Sequence, residues 1–105
     1  MKITYHEKEY ELKYSFRALM IYENITQKSF QPKSLTDIIT FFYSIVLASA
    51  KGDIIDYNEF IDWLDDNVDE LNNFSQWLTE ILELNNKIAP KKKKAEKKDK
   101  SNSPN

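Results

Sequence analysis

Apolar and polar residues first alternate with period two along the chain, then switch to a helical period. Lys2-Ile3-Thr4-Tyr5 and Glu9-Tyr10-Glu11-Leu12-Lys13-Tyr14 both alternate strictly, the pattern of strands with one covered face. Tyr10, Leu12 and Tyr14 share one side of the second run. The spacing predicts a β-hairpin over residues 2–14 with His6-Glu7-Lys8 as its turn, although the Asn-Gly signal of tight hairpins is missing.

From residue 16 onward the period is helical. Ser15 is placed to cap a helix from Phe16 to about Gln27, with Tyr14 and Leu19 in position for a hydrophobic staple. Phe16, Leu19 and Met20 form one apolar stripe of that helix, and Ala18, Ile21, Tyr22 and Ile25 form another. Two stripes predict cover on both sides, with the helix lying between the hairpin and the remaining helices. Three more starts share one chemistry: Ser34 precedes Asp37, Asp56 precedes Glu59, and Asn67 precedes Glu70. Each pair sets a capping side chain three residues ahead of a carboxylate, which also suits the positive end of the helix dipole.

The second helix, Leu35 to Ala50, carries Leu35, Ile38, Ile39, Phe42, Ile45 and Val46 on one face, with Phe41, Tyr43 and Leu47 beside them. Asp37 is its one charge, so it reads as the central core helix. Gly52 is placed to close it. The third, Tyr57 to Asp66, spaces Tyr57, Phe60, Ile61 and Leu64 along one side. The fourth, Val68 to about Ile88, does the same with Leu71, Phe74, Leu78, Ile81 and Leu82, and Pro90 follows its end. The predicted fold is mainly α: an N-terminal β-hairpin packed on a small bundle of about four helices, forming one domain over residues 1–89.

Composition narrows the chemistry. The 105 residues include no Cys, one Gly and one His. That excludes a disulfide scaffold, a thiolate zinc site, a Gly-rich phosphate loop and a multi-histidine metal centre. The start, Met1-Lys2-Ile3-Thr4-Tyr5-His6-Glu7, has no apolar signal segment, and the uncharged stretch Ile38–Ala50 is 13 residues long, too short for a bilayer. A cytosolic protein is expected. Charge is uneven. Residues 1–90 hold eight basic and fifteen acidic groups, a balance of −7, and residues 91–105 hold seven lysines and two acids, a balance of +5. Apart from Pro104, residues 91–105 contain no apolar side chain larger than Ala, so residues 90–105 are expected to form a disordered Lys-rich tail. Ten acids and no Lys or Arg lie between Asp53 and Asn86. They read as a solvated face, or as a surface that meets a basic partner or the chain's own lysines.

Candidate motifs thin out on inspection. Gly52 to Phe60 resembles the end of a calcium loop, but with Glu59 as the last ligand the first, third and fifth positions are Ala48, Ala50 and Gly52. None offers a side-chain oxygen. His6 beside Glu7 has no nucleophile behind it and reads as an exposed turn residue. The lysine run has no interleaved aromatics for base stacking, so neither specific nucleic-acid binding nor a membrane is expected. Trp63 lies about 60° beyond the apolar stripe of its helix. Trp77 lines up with Leu84 and Ile88 beside the main stripe of the last helix. Both tryptophans read either as core or as an exposed apolar strip. The candidate partner-binding set is therefore Trp63, Trp77, Leu84 and Ile88, rimmed by Asp62, Asp65, Asp66 and Glu80. No catalytic residue, metal or cofactor is expected.

The run Lys8-Glu9-Tyr10-Glu11-Leu12-Lys13-Tyr14-Ser15-Phe16-Arg17-Ala18-Leu19-Met20, followed by Tyr22-Glu23 and Thr26-Gln27-Lys28-Ser29, resembles the start of the small tail assembly chaperones of long, non-contractile-tailed bacteriophages and prophages. Gln27 stands where that family's pattern has Gly. Phe60-Ile61-Asp62-Trp63-Leu64-Asp65-Asp66-Asn67 and the acidic helix after it look similar too, so the resemblance covers about residues 2–85. It implies a non-enzymatic, non-virion helper in the host bacterial cytoplasm. Such a helper binds the helical tape-measure protein and keeps it soluble while the tail tube assembles; a contact with the tail-tube protein itself is open. It also implies a ribosomal frameshift at the codons of Lys91–Lys94, appending an extension. The alternative reading, from the acids of 53–86, is a helical protein that imitates DNA charge and blocks a DNA-binding enzyme.

Overall fold

The computed structural model describes residues 1–88, with side chains through Leu84. β1 (Lys2–Tyr5) pairs antiparallel with β2 (Lys8–Glu11), setting Ile3 opposite Tyr10 and Tyr5 opposite Lys8. Lys8 therefore belongs to the strand, and the turn is His6-Glu7 alone. Both turn residues have positive φ, 49° and 68°. A tight turn of that hand matches strand twist, which is why it forms even without Asn-Gly. The His6 ring stacks on Tyr5 at 4.0 Å. β2 ends before Leu12, whose N–H still reaches the Met1 carbonyl at 2.7 Å. Ile3, Tyr5, Tyr10 and Leu12 form the buried face.

α1 (Phe16–Thr26) starts at Ser15, whose Oγ accepts the Ala18 N–H at 3.1 Å. α2 (Leu35–Ala50) starts at Ser34, whose Oγ accepts the Asp37 N–H at 3.1 Å. α3 (Tyr57–Asp66) starts at Asp56, whose carboxylate accepts the Glu59 N–H at 3.0 Å. These caps are the ones the spacing predicts. α4 (Val68–Ile88) begins differently. The Asn67 amide donates to the Trp63 carbonyl at 2.8 Å, and the Glu70 N–H goes to the Asn67 backbone carbonyl. Asn67 thus closes α3 with its side chain and opens α4 with its main chain, because one residue separates the two helices. At the end of α2 the left-handed residue is Lys51 (φ 53°), and Gly52 follows at φ 102°. The cap position expected of Gly52 is thus taken by Lys51, with Gly52 directly after it.

The chain falls into two units, one over Met1–Ser75 and a second from Gln76 onward. In the first unit α1 packs chiefly on α2, and β2 also reaches α2. Its centre is aromatic. Phe42 stacks on Phe74 at 4.2 Å and meets Phe60 edge-on at 5.2 Å. Phe30 stacks on Phe41 at 4.0 Å, with Tyr22 edge-on to both. Rings packed in these arrangements add to the burial term. The second unit, as described, is the rest of α4, with Leu78 buried and Ile81 and Leu82 partly covered. Among the described residues no helix is long and apolar enough to cross a membrane. The expected lysine tail of 90–105 and the frameshift position lie outside the described residues.

The expectation that α1 is covered on both sides is corrected. Ala18 and Tyr22 are buried, but Phe16 is 85% exposed and Met20 63%. A helix lying chiefly on one neighbour buries one stripe only. Leu35, expected on the core face of α2, is also exposed.

Candidate functional site

Trp63 is half-buried. Its ring stacks at 5.7 Å on Phe60 and stands edge-on to Tyr5 at 5.4 Å. The hairpin therefore covers one side of it. Asp62, Asp65 and Asp66 are exposed on the same helix. Trp77, Glu80, Leu84 and Ile88 follow one another along α4 at helical spacing. Trp77 is partly covered, Glu80 is exposed and Leu84 is 55% exposed. Ile88 is helical, and its side chain lies outside the described residues. The eight candidates thus form two groups of four, on α3 in the first unit and on α4 in the second.

Phe16 and Met20 are apolar, strongly exposed and one helical turn apart on α1. The sequence reading assigned them to a covered stripe. Local spacing alone does not separate the two stripes, since both carry large apolar side chains. Ile54, 97% exposed, stands in the loop between α2 and α3.

Two polar knots tie the elements together. In the first, the Lys8 ammonium pairs with Asp53, and the Tyr10 hydroxyl donates to the same carboxylate at 3.3 Å. The hydrogen bond from Lys8 holds the Asp53 carboxyl below its ordinary value, and the same bond raises the Lys8 ammonium. In the second, Asp37 accepts from the Lys33 N–H at 3.1 Å, from Lys28 Nζ at 3.2 Å and from the buried Tyr22 hydroxyl at 3.4 Å. The Lys33 bond leads in holding the Asp37 carboxyl low. Of the ten acids in 53–86, Asp53 is thus held by Lys8 and Tyr10, Asp56 caps α3, and Glu70 accepts from the Asn73 amide at 3.3 Å. Among the described residues no group of three His, Asp or Glu side chains is set to hold a metal. His6 stands exposed on its turn.

An open cleft of about 620 Å³ runs beside β2. One wall is Lys8 to Glu11 with Lys13, Ser15 and Arg17. The other is Ile45, Ala48, Ser49 and Ala50 of α2, with Lys51 and Asp53 at its end.

Comparisons with protein-family models, with curated proteins and with solved structures give no match.

Proposed function

We propose that this protein is a non-enzymatic binding protein that holds another chain through exposed apolar helical surface. In the terms its sequence resemblance implies, it is a phage tail assembly chaperone whose client is the tape-measure protein, acting in the host bacterial cytoplasm. The observation that carries the reading is the Phe16–Met20 pair, two large apolar side chains left in solvent on a helix that buries Ala18 and Tyr22 on its other stripe. Such a pair costs solubility and is what an amphipathic helical client needs. Leu84 on α4 offers a further apolar contact, with Glu80 and Glu83 exposed near it along the helix. The exposed acids of α3 add a negative surface that discourages self-association and favours clients with basic residues.

The test is co-expression with the tape-measure protein encoded in the same gene cluster. A soluble complex is expected with the wild-type chain. Substituting both Phe16→Ser and Met20→Ser should return the client to the pellet while leaving the chain folded.

A further inference from the structure

We propose that the open edge of β2 is a second binding site, which takes an extended, acidic peptide segment by strand addition beside α2. Three observations converge on it. First, the register leaves the edge free. In this hairpin Lys8 and Tyr10 face β1 with their backbone groups, and Leu12 continues the pattern by donating to Met1. The alternation of an antiparallel ladder then turns the N–H and C=O of Glu9 and Glu11 outward. Second, there is room on that side. No β1 residue lines the cleft, so it lies against the outward edge rather than over the sheet face. Its far wall is Ile45, Ala48, Ser49 and Ala50 of α2, and the three short side chains leave space between helix and strand. The run from Lys8 to Lys13 offers about 20 Å of extended backbone, enough for a segment of about five residues.

Third, the charge selects the occupant. Four of the eight basic residues in 1–90 line this one cleft: Lys8, Lys13, Arg17 and Lys51. Three acids line it as well: Glu11 is paired with the chain's amino terminus, Asp53 with Lys8, and Glu9 is in no ion pair. Lys13, Arg17 and Lys51 enter none of the three ion pairs formed among the described residues. Three cations outside any ion pair against the single carboxylate of Glu9 leave the cleft positive, on a body that is otherwise acidic. A segment alternating small apolar and acidic residues fits. One set of side chains faces Ala48 and Ala50 on the side of Tyr10. The other lies on the side of Lys13, where Glu11 is neutralised by the amino terminus, and the main chain bonds Glu9 and Glu11. A lysine-rich segment is repelled.

The experiment titrates two fluorescein-labelled nine-residue peptides into the full chain and follows anisotropy. One alternates valine with glutamate, the other valine with lysine. The glutamate peptide should bind at least tenfold more tightly, and binding should weaken with salt. Amide exchange should show new protection at Glu9 and Glu11. Glu9→Pro removes an outward N–H without touching the β1 ladder, and it should weaken the glutamate peptide at least tenfold. Lys13→Glu with Arg17→Glu should do the same, with thermal melts confirming that each variant is folded. Equal binding of both peptides, no binding of either, or protection confined to other amides overturns the proposal. Protection of Glu9 and Glu11 without peptide, together with a dimer in sedimentation, assigns the edge to a second copy and overturns it as well. Peptide binding here needs no helical client, so its loss and the loss of client rescue are separately readable.

Discussion

The backbone N–H of Lys33 donates to the carboxylate of Asp37 at 3.1 Å, across the start of α2. Ser34 Oγ accepts the Asp37 N–H in return, so the two residues brace both sides of the helix entry. Lys28 and Tyr22 reach the same carboxylate, which ties the loop after α1 and α1 itself to α2.

This arrangement sets a pH dependence. The Asp37 carboxyl is held below its ordinary value in the folded state, the Lys33 bond being the first cause. Its stabilisation is complete above the unfolded aspartate value of about 4 and is lost as pH falls through the lowered folded value. Asp37→Asn should therefore lower the urea midpoint at neutral pH, and the gap to wild type should close on acidification. A gap that stays constant with pH would show that the charge is not what matters.

Tyr5 carries an unpaired polar atom. Its ring is buried, and among the described residues its hydroxyl has no hydrogen-bond partner. Burial, with Glu59 and Asp56 nearby, pushes its ionisation up. Replacing it with Phe removes the unsatisfied group and keeps the contacts with Phe60 and Trp63. Tyr5→Phe should raise stability by about 1 kcal/mol, read from urea unfolding.

Glu7 holds a left-handed conformation, φ 68°, that a side chain disfavours. Glu7→Gly relieves that strain at the second turn position, where tight hairpins favour glycine. A gain of about 1 kcal/mol is expected by chemical denaturation. A loss would mean that the side chain contributes something the backbone does not show.

Phe16→Ser with Met20→Ser removes apolar surface from solvent, not from the core. Folding stability should change by no more than about 0.5 kcal/mol per site. Binding of the fluorescent dye ANS, which reports exposed apolar surface, should fall. A large drop in stability would place these side chains under cover.

Much of this fold can be read from the sequence. The bounds of α2 and α3 and the caps Ser15, Ser34 and Asp56 follow from local spacing, because a cap is a short-range bond between neighbours in the chain. What escapes is tertiary. Nothing local says that α1 has one principal neighbour, so Phe16 and Met20 read like core residues. Nothing local brings Lys8 to Asp53 across 45 residues, or gathers Lys13, Arg17 and Lys51 around one cleft. Trp63 sits between the two readings the spacing allowed: one side meets Tyr5, and the ring remains half-exposed. The His6-Glu7 turn is hidden because its residues are not those that usually take its backbone angles.

The most direct test of the central claim is the fraction of tape-measure protein found soluble in cells with and without this chain. A marked rise with the wild-type chain, lost with Phe16→Ser and Met20→Ser, is the expected result. Equal solubility in the presence and absence of the chain contradicts the account.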